Sequence, residues 1–588
     1  MIRYLRRWID KLNSDSSFAW TVLLIHACLL WRLALINTPV FDEIAHLPAG
    51  LIHWKSGCFD AYRVNPPLMR MIATCPLLFM NAKLSRQTVS SDPYSRDEFL
   101  LGRLFLQENE NDYFDYFAIC RCALIPISLL GGWMCRNWAR ELYGEASGRI
   151  ALLLWCFCPN ILAWGSLITP DLGAAAFGVT AGYAFWRWLK APTWKHTFVA
   201  GFCMGLAELS KSTWIILFVL WPVIWLCWYW QMRTAFRKSA VQCAAISLIA
   251  LYVLNSGYAW EGSFCRLGDF RFVSTTLGGM EAHAVPGNRF RESLLASLPL
   301  PVPANYVKGI DVQRYDFERG KWSYLRGEQR FGGWYYYYLY ALTVKLPLGT
   351  LLLTAISAFT LVCVSRYRQD VRHDFILLAP AIAIIIVVSS QTGFNRYLRY
   401  VLPAAPFIYI FASRVGMECA RSSLLLRRTS EAAVFCVIVA SVSTYPHSLS
   451  YFNLLAGGPA GGPAHLLDAN IDWGQDLFEL KRIVEQHPEM GTIRLAYFGI
   501  IEPRLAHFPH EILKPIHEED GDATRLAIAP GWYAISVNHV HGYRYRDGDI
   551  PIYTHFKALT PKYMAGYSIY IYHITESYAL YAPDRSSG

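Results

Sequence analysis

The chain has 588 residues, of which 54% are hydrophobic and only 17% charged, with a formal net charge of +10. That balance excludes a string of ordinary water-soluble domains, because most of the length is apolar enough to need lipid. The basic surplus lies in short clusters between apolar runs rather than on one soluble face, so it marks membrane topology and gives no reason to expect nucleic acid as a partner.

The start, MIRYLRRWIDK followed by an apolar run at 20–37, has no small-residue cleavage signal after it, so a retained first helix is expected. A crossing takes roughly twenty apolar residues, somewhat fewer where the protein thins the bilayer. Runs near 20–37, 116–134, 150–168, 171–189, 197–210, 212–230 and 239–256 satisfy this. After a long connection, so do 346–364, 375–390, 400–413 and 432–448, the run at 400–413 being short. The expected fold is mainly α, a polytopic membrane protein with about eleven transmembrane helices.

Lys and Arg gather in alternate short connections: Arg3, Arg6, Arg7 and Lys11; Arg136, Arg140 and Arg149; Arg187, Lys190 and Lys195; Arg233, Arg237 and Lys238; Arg366, Arg368 and Arg372; Arg414, Arg421, Arg427 and Arg428. The intervening short connections hold only Lys211, Arg396 and Arg399. The positive-inside rule then puts the amino terminus in the cytoplasm, and places the loops 38–115 and 257–345 and the tail from about 449 outside. A bacterial plasma membrane is the expected setting, with an endoplasmic reticulum left open.

The second outer loop ends in an aromatic run, Trp334 to Tyr338, ahead of Lys345 and Pro347, which reads as an interfacial helix leading into a spanning one. In the tail, DLFELKRIVEQH has helical periodicity, and TIRLAYFGI, WYAISVNHV and YSIYIYHI read as strands. The expected division is a membrane domain at 1–448 and a small extracytoplasmic α/β domain at 449–588, with the Gly- and Pro-rich AGGPAGGPAH as linker. Only Cys58, Cys75 and Cys265 fall in segments placed outside, which leaves one disulfide open but no disulfide framework or zinc site.

Charges at membrane depth are costly, so their level is informative. Arg32, Arg121, Asp171, Glu208, Lys211, Arg396 and Arg399 all fall near the outer boundary, as a charged cavity open to the outside requires. Each also has a plain structural use. Thr169-Pro170-Asp171 suits a helix start, Glu208 and Lys211 can neutralise each other, and Arg32 and Arg121 can snorkel to headgroups.

Directly after the first span comes FDEIAHLPAGLIHWKSGCFDAYRVNPPLMR, with Asp42 and Glu43 adjacent and His46 three residues beyond Glu43. An acidic pair here, a His, and a PPL triplet followed by a basic residue resemble the first loop of GT-C-fold glycosyltransferases that use polyprenyl-phosphate sugars. The nearest groups are the protein O-mannosyltransferases and the lipid A aminoarabinose transferases. TPD at 169–171, LSK at 209–211 and RYVLPAAP at 399–406 continue the resemblance in order, over roughly residues 20–410. Nothing reads as the lumenal β-trefoil of the O-mannosyltransferases. Asn65 stands where the aminoarabinose transferases have a Lys just before PPL, so a donor-phosphate contact moves to Arg63 or Arg70.

The resemblance implies an inverting sugar transfer from a polyprenyl-phosphate donor to an acceptor hydroxyl on a protein, lipid or glycan. Asp42 is the implied general base and Glu43 its helper, because a neutral alcohol is a poor nucleophile. Arg399 and Lys211 lead the donor-phosphate contacts, joined by Arg121, Arg70 and Arg63; His46, Asp171 and Arg396 are expected to touch substrate. No metal or other cofactor is required by the sequence, and assistance by a divalent ion is left open. DANIDWGQDL at 468–477 resembles a segment after the membrane core in some bacterial members and is assigned no catalytic role. A transporter or flippase for lipid-linked sugars is the rival reading, but it calls for inverted repeats and helices interrupted near the midplane, which the sequence lacks.

Overall fold

The computed structural model describes residues 15–84, 95–229, 233–363, 371–417, 423–513, 526–543 and 551–580. Arg3, Arg6, Arg7, Lys11, Arg366, Arg368 and Arg421, which entered the topology reading, lie outside the described residues.

Every expected crossing is helical, but the helices differ in length and straightness. Five are long and apolar enough to span a bilayer alone: Asp15–Ile36, Tyr113–Tyr143, Ser212–Tyr229, Phe236–Gly257 and Val371–Ser390. Two bent pairs bring the number to seven if each is one span, so length and composition alone do not reach the expected eleven among the described residues. Proline explains both bends. Cys158 is extended before Pro159, and Glu145–Cys156 meets Pro159–Gly165 at 56°. Leu346 is extended before Pro347, and the aromatic helix Tyr337–Lys345 meets Leu348–Cys363 at 114°. Pro170–Lys190 is less apolar, being rich in Gly, Ala, Tyr and Trp with charges toward both ends, and it is buried almost throughout, at the centre of the bundle.

The tail contains a five-stranded mixed sheet in the order His510–Ile512, Ile493–Ala496, Gly531–Ser536, Ile569–Ile574, Tyr563–Ala565. The first three strands are parallel and the last two pairings antiparallel. Helix Leu477–Gln486 buries Leu477, Leu480, Ile483 and Val484, one stripe at helical spacing. The three expected strands are present but trimmed: WYAISVNHV turns into a short helix at Val537, where the Ser536 hydroxyl accepts the Asn538 N–H.

The expected linker is not an open spacer. AGGPAGGPAH winds into short helical turns, Gly462 and Pro463 are buried, and the Tyr324 hydroxyl donates to the Pro463 carbonyl at 2.7 Å. One cluster of buried apolar side chains runs from Ala19 in the first helix through Trp473 to Ile571 in the sheet, so the tail packs directly on the helical core. Cys58, Cys75 and Cys265 are free thiols, and the disulfide left open is not formed.

Candidate active site

The first loop is fixed from inside. Glu43 opens helix Glu43–Ser56 and is fully buried, and Arg121 grips its carboxylate with two N–H groups, at 2.8 Å and 2.5 Å. The same carboxylate accepts the Val40 N–H at 2.9 Å and the Ile168 N–H at 2.8 Å. Arg121 spends its remaining donors on the carbonyls of Ala34, Asn37 and Thr38. One buried ion pair therefore ties together the end of the first helix, the start of the loop and the turn leading to Thr169-Pro170-Asp171, and neither member is in the lining of the cavity that Asp42 faces.

Asp42, one residue earlier, points the other way. It faces a cavity of about 450 Å³ shared with Asp171, Lys211, Arg399, Tyr400 and Trp473. Asp171 reaches it because Thr169 is extended and Pro170 begins the next helix, leaving the acid in the first turn at a favourable helix end. Lys211 reaches it from the extended residue where helix Trp194–Ser210 stops.

The charges alternate. Arg399 Nη2 lies 2.8 Å from Asp42 Oδ2, Arg399 Nη1 3.5 Å from Asp171 Oδ2, and Lys211 Nζ 2.6 Å from Asp171 Oδ1. Two cations and two carboxylates thus form a neutral chain, buried at Lys211, Asp171 and Arg399 and only half-buried at Asp42, so the low dielectric strengthens it most at its three inner members, where losing one costs most. Tyr397 and Trp473 lie with their ring centroids each 4.6 Å from the Arg399 guanidinium carbon.

A second polar group comes from the loops at 38–115 and 257–345. Asp316 accepts Arg96 at 3.0 Å and Lys321 at 3.1 Å, and all three line the same cavity. Arg396 lines it as well, 8% exposed, with its Nε donating to the Trp322 carbonyl at 2.8 Å.

The remaining expected residues stand near the cavity without lining it. Arg70 is buried and donates to the carbonyls of Tyr62 and Asn65 and to His53 Nε2, which shapes the turn whose Tyr62, Val64 and Asn65 do form cavity wall. Burial, followed by the Arg70 charge, takes the His53 pKa down to about 3, so its ring is a neutral acceptor there. His46 packs on Tyr62 at 4.6 Å between ring centroids, and its Nε2 is buried without a partner. Burial first, then the charges of Arg70 and Arg399, hold His46 well below its usual pKa. Arg63 lines a neighbouring hollow of about 250 Å³ with Arg271 and Lys308.

Sequence reasoning missed Trp473, Tyr397, Tyr400, Arg96, Asp316 and Lys321. The NRYLRY run carried a signal for two of them, since its tyrosines flank Arg399. Arg96, Asp316 and Lys321 lie in two separate loops and have no motif. Among the described residues, no group of three or more His, Cys, Asp or Glu side chains is arranged to hold a metal ion.

Residues 116–260 match the family model described as dolichyl-phosphate-mannose-protein mannosyltransferase. No curated protein sequence matches the chain. Among solved structures, ArnT from Cupriavidus metallidurans bound to undecaprenyl phosphate aligns at 13% identity with a TM-score of 0.46, covering 94% of this chain and 97% of that one. The Archaeoglobus fulgidus oligosaccharyltransferase in its apo form aligns at 12% identity with a TM-score of 0.39, covering 74% of this chain and 54% of that one. The archaeal oligosaccharyltransferase AglB, from the same organism, in complex with an inhibitory peptide and a dolichol-phosphate, aligns at 12% identity with a TM-score of 0.40, covering 72% and 55%. The motifs and the family model agree on one group: over residues 116–260 this chain is similar to the dolichyl-phosphate-mannose-protein mannosyltransferases, membrane glycosyltransferases of the kind its loop motifs resemble.

Proposed function

We propose that the protein transfers a sugar from a polyprenyl-phosphate donor to an acceptor hydroxyl on the extracytoplasmic side, with inversion at the anomeric carbon. The observation that carries this reading is the placement of Asp42, Arg399, Asp171 and Lys211 in one cavity, joined by contacts of 2.6–3.5 Å.

In the reaction, Asp42 takes the proton of the acceptor hydroxyl as its oxygen attacks the anomeric carbon from the face opposite the phosphate. The bond from that carbon to the phosphate oxygen breaks, and the electron pair leaves with the lipid phosphate. Negative charge builds on that phosphate, where Arg399 offers a planar pair of donors and Lys211 a point charge. Arg399 is otherwise spent on Asp42, and an arginine-bound carboxylate is a poor base. A donor phosphate that binds the far side of Arg399 draws the guanidinium from Asp42 and releases the carboxylate to the acceptor side, so the donor binds first and arms the base. Asp171 stays with Lys211 and keeps the site from accumulating uncompensated positive charge before the donor arrives.

Cells lacking the protein should accumulate its polyprenyl-phosphate sugar, and the purified protein should consume that lipid. An unchanged lipid profile, together with no consumption by purified protein, would rule the reading out.

A further inference from the structure

Trp473 belongs to the tail, yet it stands in the wall of the cavity and is 3% exposed. Its ring and that of Tyr397 both lie 4.6 Å from the Arg399 guanidinium carbon, and Trp164 packs on Trp473 at 5.4 Å between centroids. Aromatic faces attract a guanidinium through the ring quadrupole and restrict its rotation without consuming N–H donors. The N–H donors of Arg399 are thereby left to oxygen ligands, Asp42 and Asp171 in this structure.

The segment around Trp473 is tied to both chain stretches that carry the site. Asn470 accepts the Leu398 N–H at 3.0 Å and donates to the Arg396 carbonyl at 2.6 Å, bracketing the run into Arg399. Lys345 donates to the Asn470 carbonyl at 2.6 Å. Gln475 accepts the Trp473 N–H at 2.8 Å through its side chain, and its carbonyl accepts the Thr38 N–H at 2.9 Å, four residues before Asp42. Gly474 has φ +90, and a Cβ there would come within 2.7 Å of Gly499 Cα, so the turn that presents Trp473 needs glycine. Asp472 accepts the Gly474 N–H at 3.0 Å and the Ser536 hydroxyl, which joins the turn to the sheet.

We propose that Trp473 is a positioning residue for Arg399, and that the tail is therefore a working wall of the site. This rests on the reading that Arg399 grips the donor phosphate. Trp473 presses the guanidinium into the plane in which it meets phosphate oxygens, and the turn 468–476 transmits the position of the sheet to that plane.

The test uses full-length protein in detergent, with binding of radiolabelled undecaprenyl phosphate and the thermal midpoint measured in parallel. Trp473→Leu, apolar but without a π face, should weaken lipid-phosphate binding roughly three- to thirty-fold, while Trp473→Phe should stay within about threefold. Arg399→Lys should weaken binding on its own, and adding Trp473→Leu to it should cost little more, because the two act through one contact. Equal losses for Phe and Leu, or fully additive losses in the double variant, would overturn the proposal in favour of a purely structural tryptophan. Wild-type affinity in folded Trp473→Leu protein beside a strongly impaired Arg399→Lys would overturn the proposal alone. A silent Arg399→Lys would instead overturn the reading of the site.

Discussion

Asp42 and Arg399 are 357 residues apart in the sequence and meet at 2.8 Å in the cavity. Arg399 also reaches Asp171, so a single guanidinium holds two carboxylates in place. Arg399→Lys keeps the charge but loses the planar fork. Overall transfer should fall by roughly one to two orders of magnitude, the size of a weakened charge-assisted contact of about 1.5–3 kcal/mol. Steady-state assays on folded protein check this, and unchanged turnover would leave Arg399 as a helix anchor only.

Glu43 and Arg121 form the other arginine pair, and theirs is a matter of stability. Glu43→Gln leaves Arg121 buried and uncompensated, which costs about 3–5 kcal/mol when one partner of a buried ion pair is removed. A marked drop in the thermal midpoint is expected, whereas Asp42→Asn should leave the midpoint nearly unchanged. Equal midpoints for the two variants would show that the buried pair does not hold the loop.

Asp472 gives a pH dependence with a definite sign. Burial pushes its carboxyl up from 3.8 to about 7, against the hydrogen bonds from Ser536 and Gly474. A folded-state pKa above the unfolded value means the folded chain holds the proton more tightly. Its contribution is fully present below about pH 4 and is lost as pH rises through about 7. Asp472→Asn should therefore flatten the decline in thermal midpoint between pH 4 and 7, a decline of up to about 1.4 kcal/mol per pH unit for one proton. A decline of the same slope in the variant would assign it to other groups.

The alternating basic connections predict one orientation of the chain in the membrane. Reporter fusions after residues 115, 300 and 460 should read outside, and fusions after 145, 235 and 425 inside. A cytoplasmic signal at 300 would invert the placement of the cavity.

The helices were legible because runs of apolar residues near twenty long have few soluble explanations, and the strands because Tyr, Ile and Val recur in the tail. The level of the charges was legible too: Asp171, Lys211 and Arg399 were placed at one height from sequence, and they meet around one cavity. The opposite orientations of Asp42 and Glu43 were not, since adjacent residues at a loop-to-helix junction take directions set by distant partners, here Arg121 and Arg399. Trp473 was hidden for a similar reason. Gly and Pro in 456–465 read as an open linker, but their turns bury Gly462 and Pro463, with the Pro463 carbonyl held by Tyr324 from the loop at 257–345.

In the proposed reaction everything turns on Asp42 taking the acceptor proton. Asp42→Asn is nearly isosteric and can still accept the Arg399 N–H, so folding and undecaprenyl phosphate binding should survive. The measurement is single-turnover transfer from the polyprenyl-phosphate sugar isolated from cells lacking the protein. A fall of about 10²–10⁴-fold in that rate is expected for Asp42→Asn, with lipid-phosphate affinity retained. Transfer by Asp42→Asn at near the wild-type rate would contradict it.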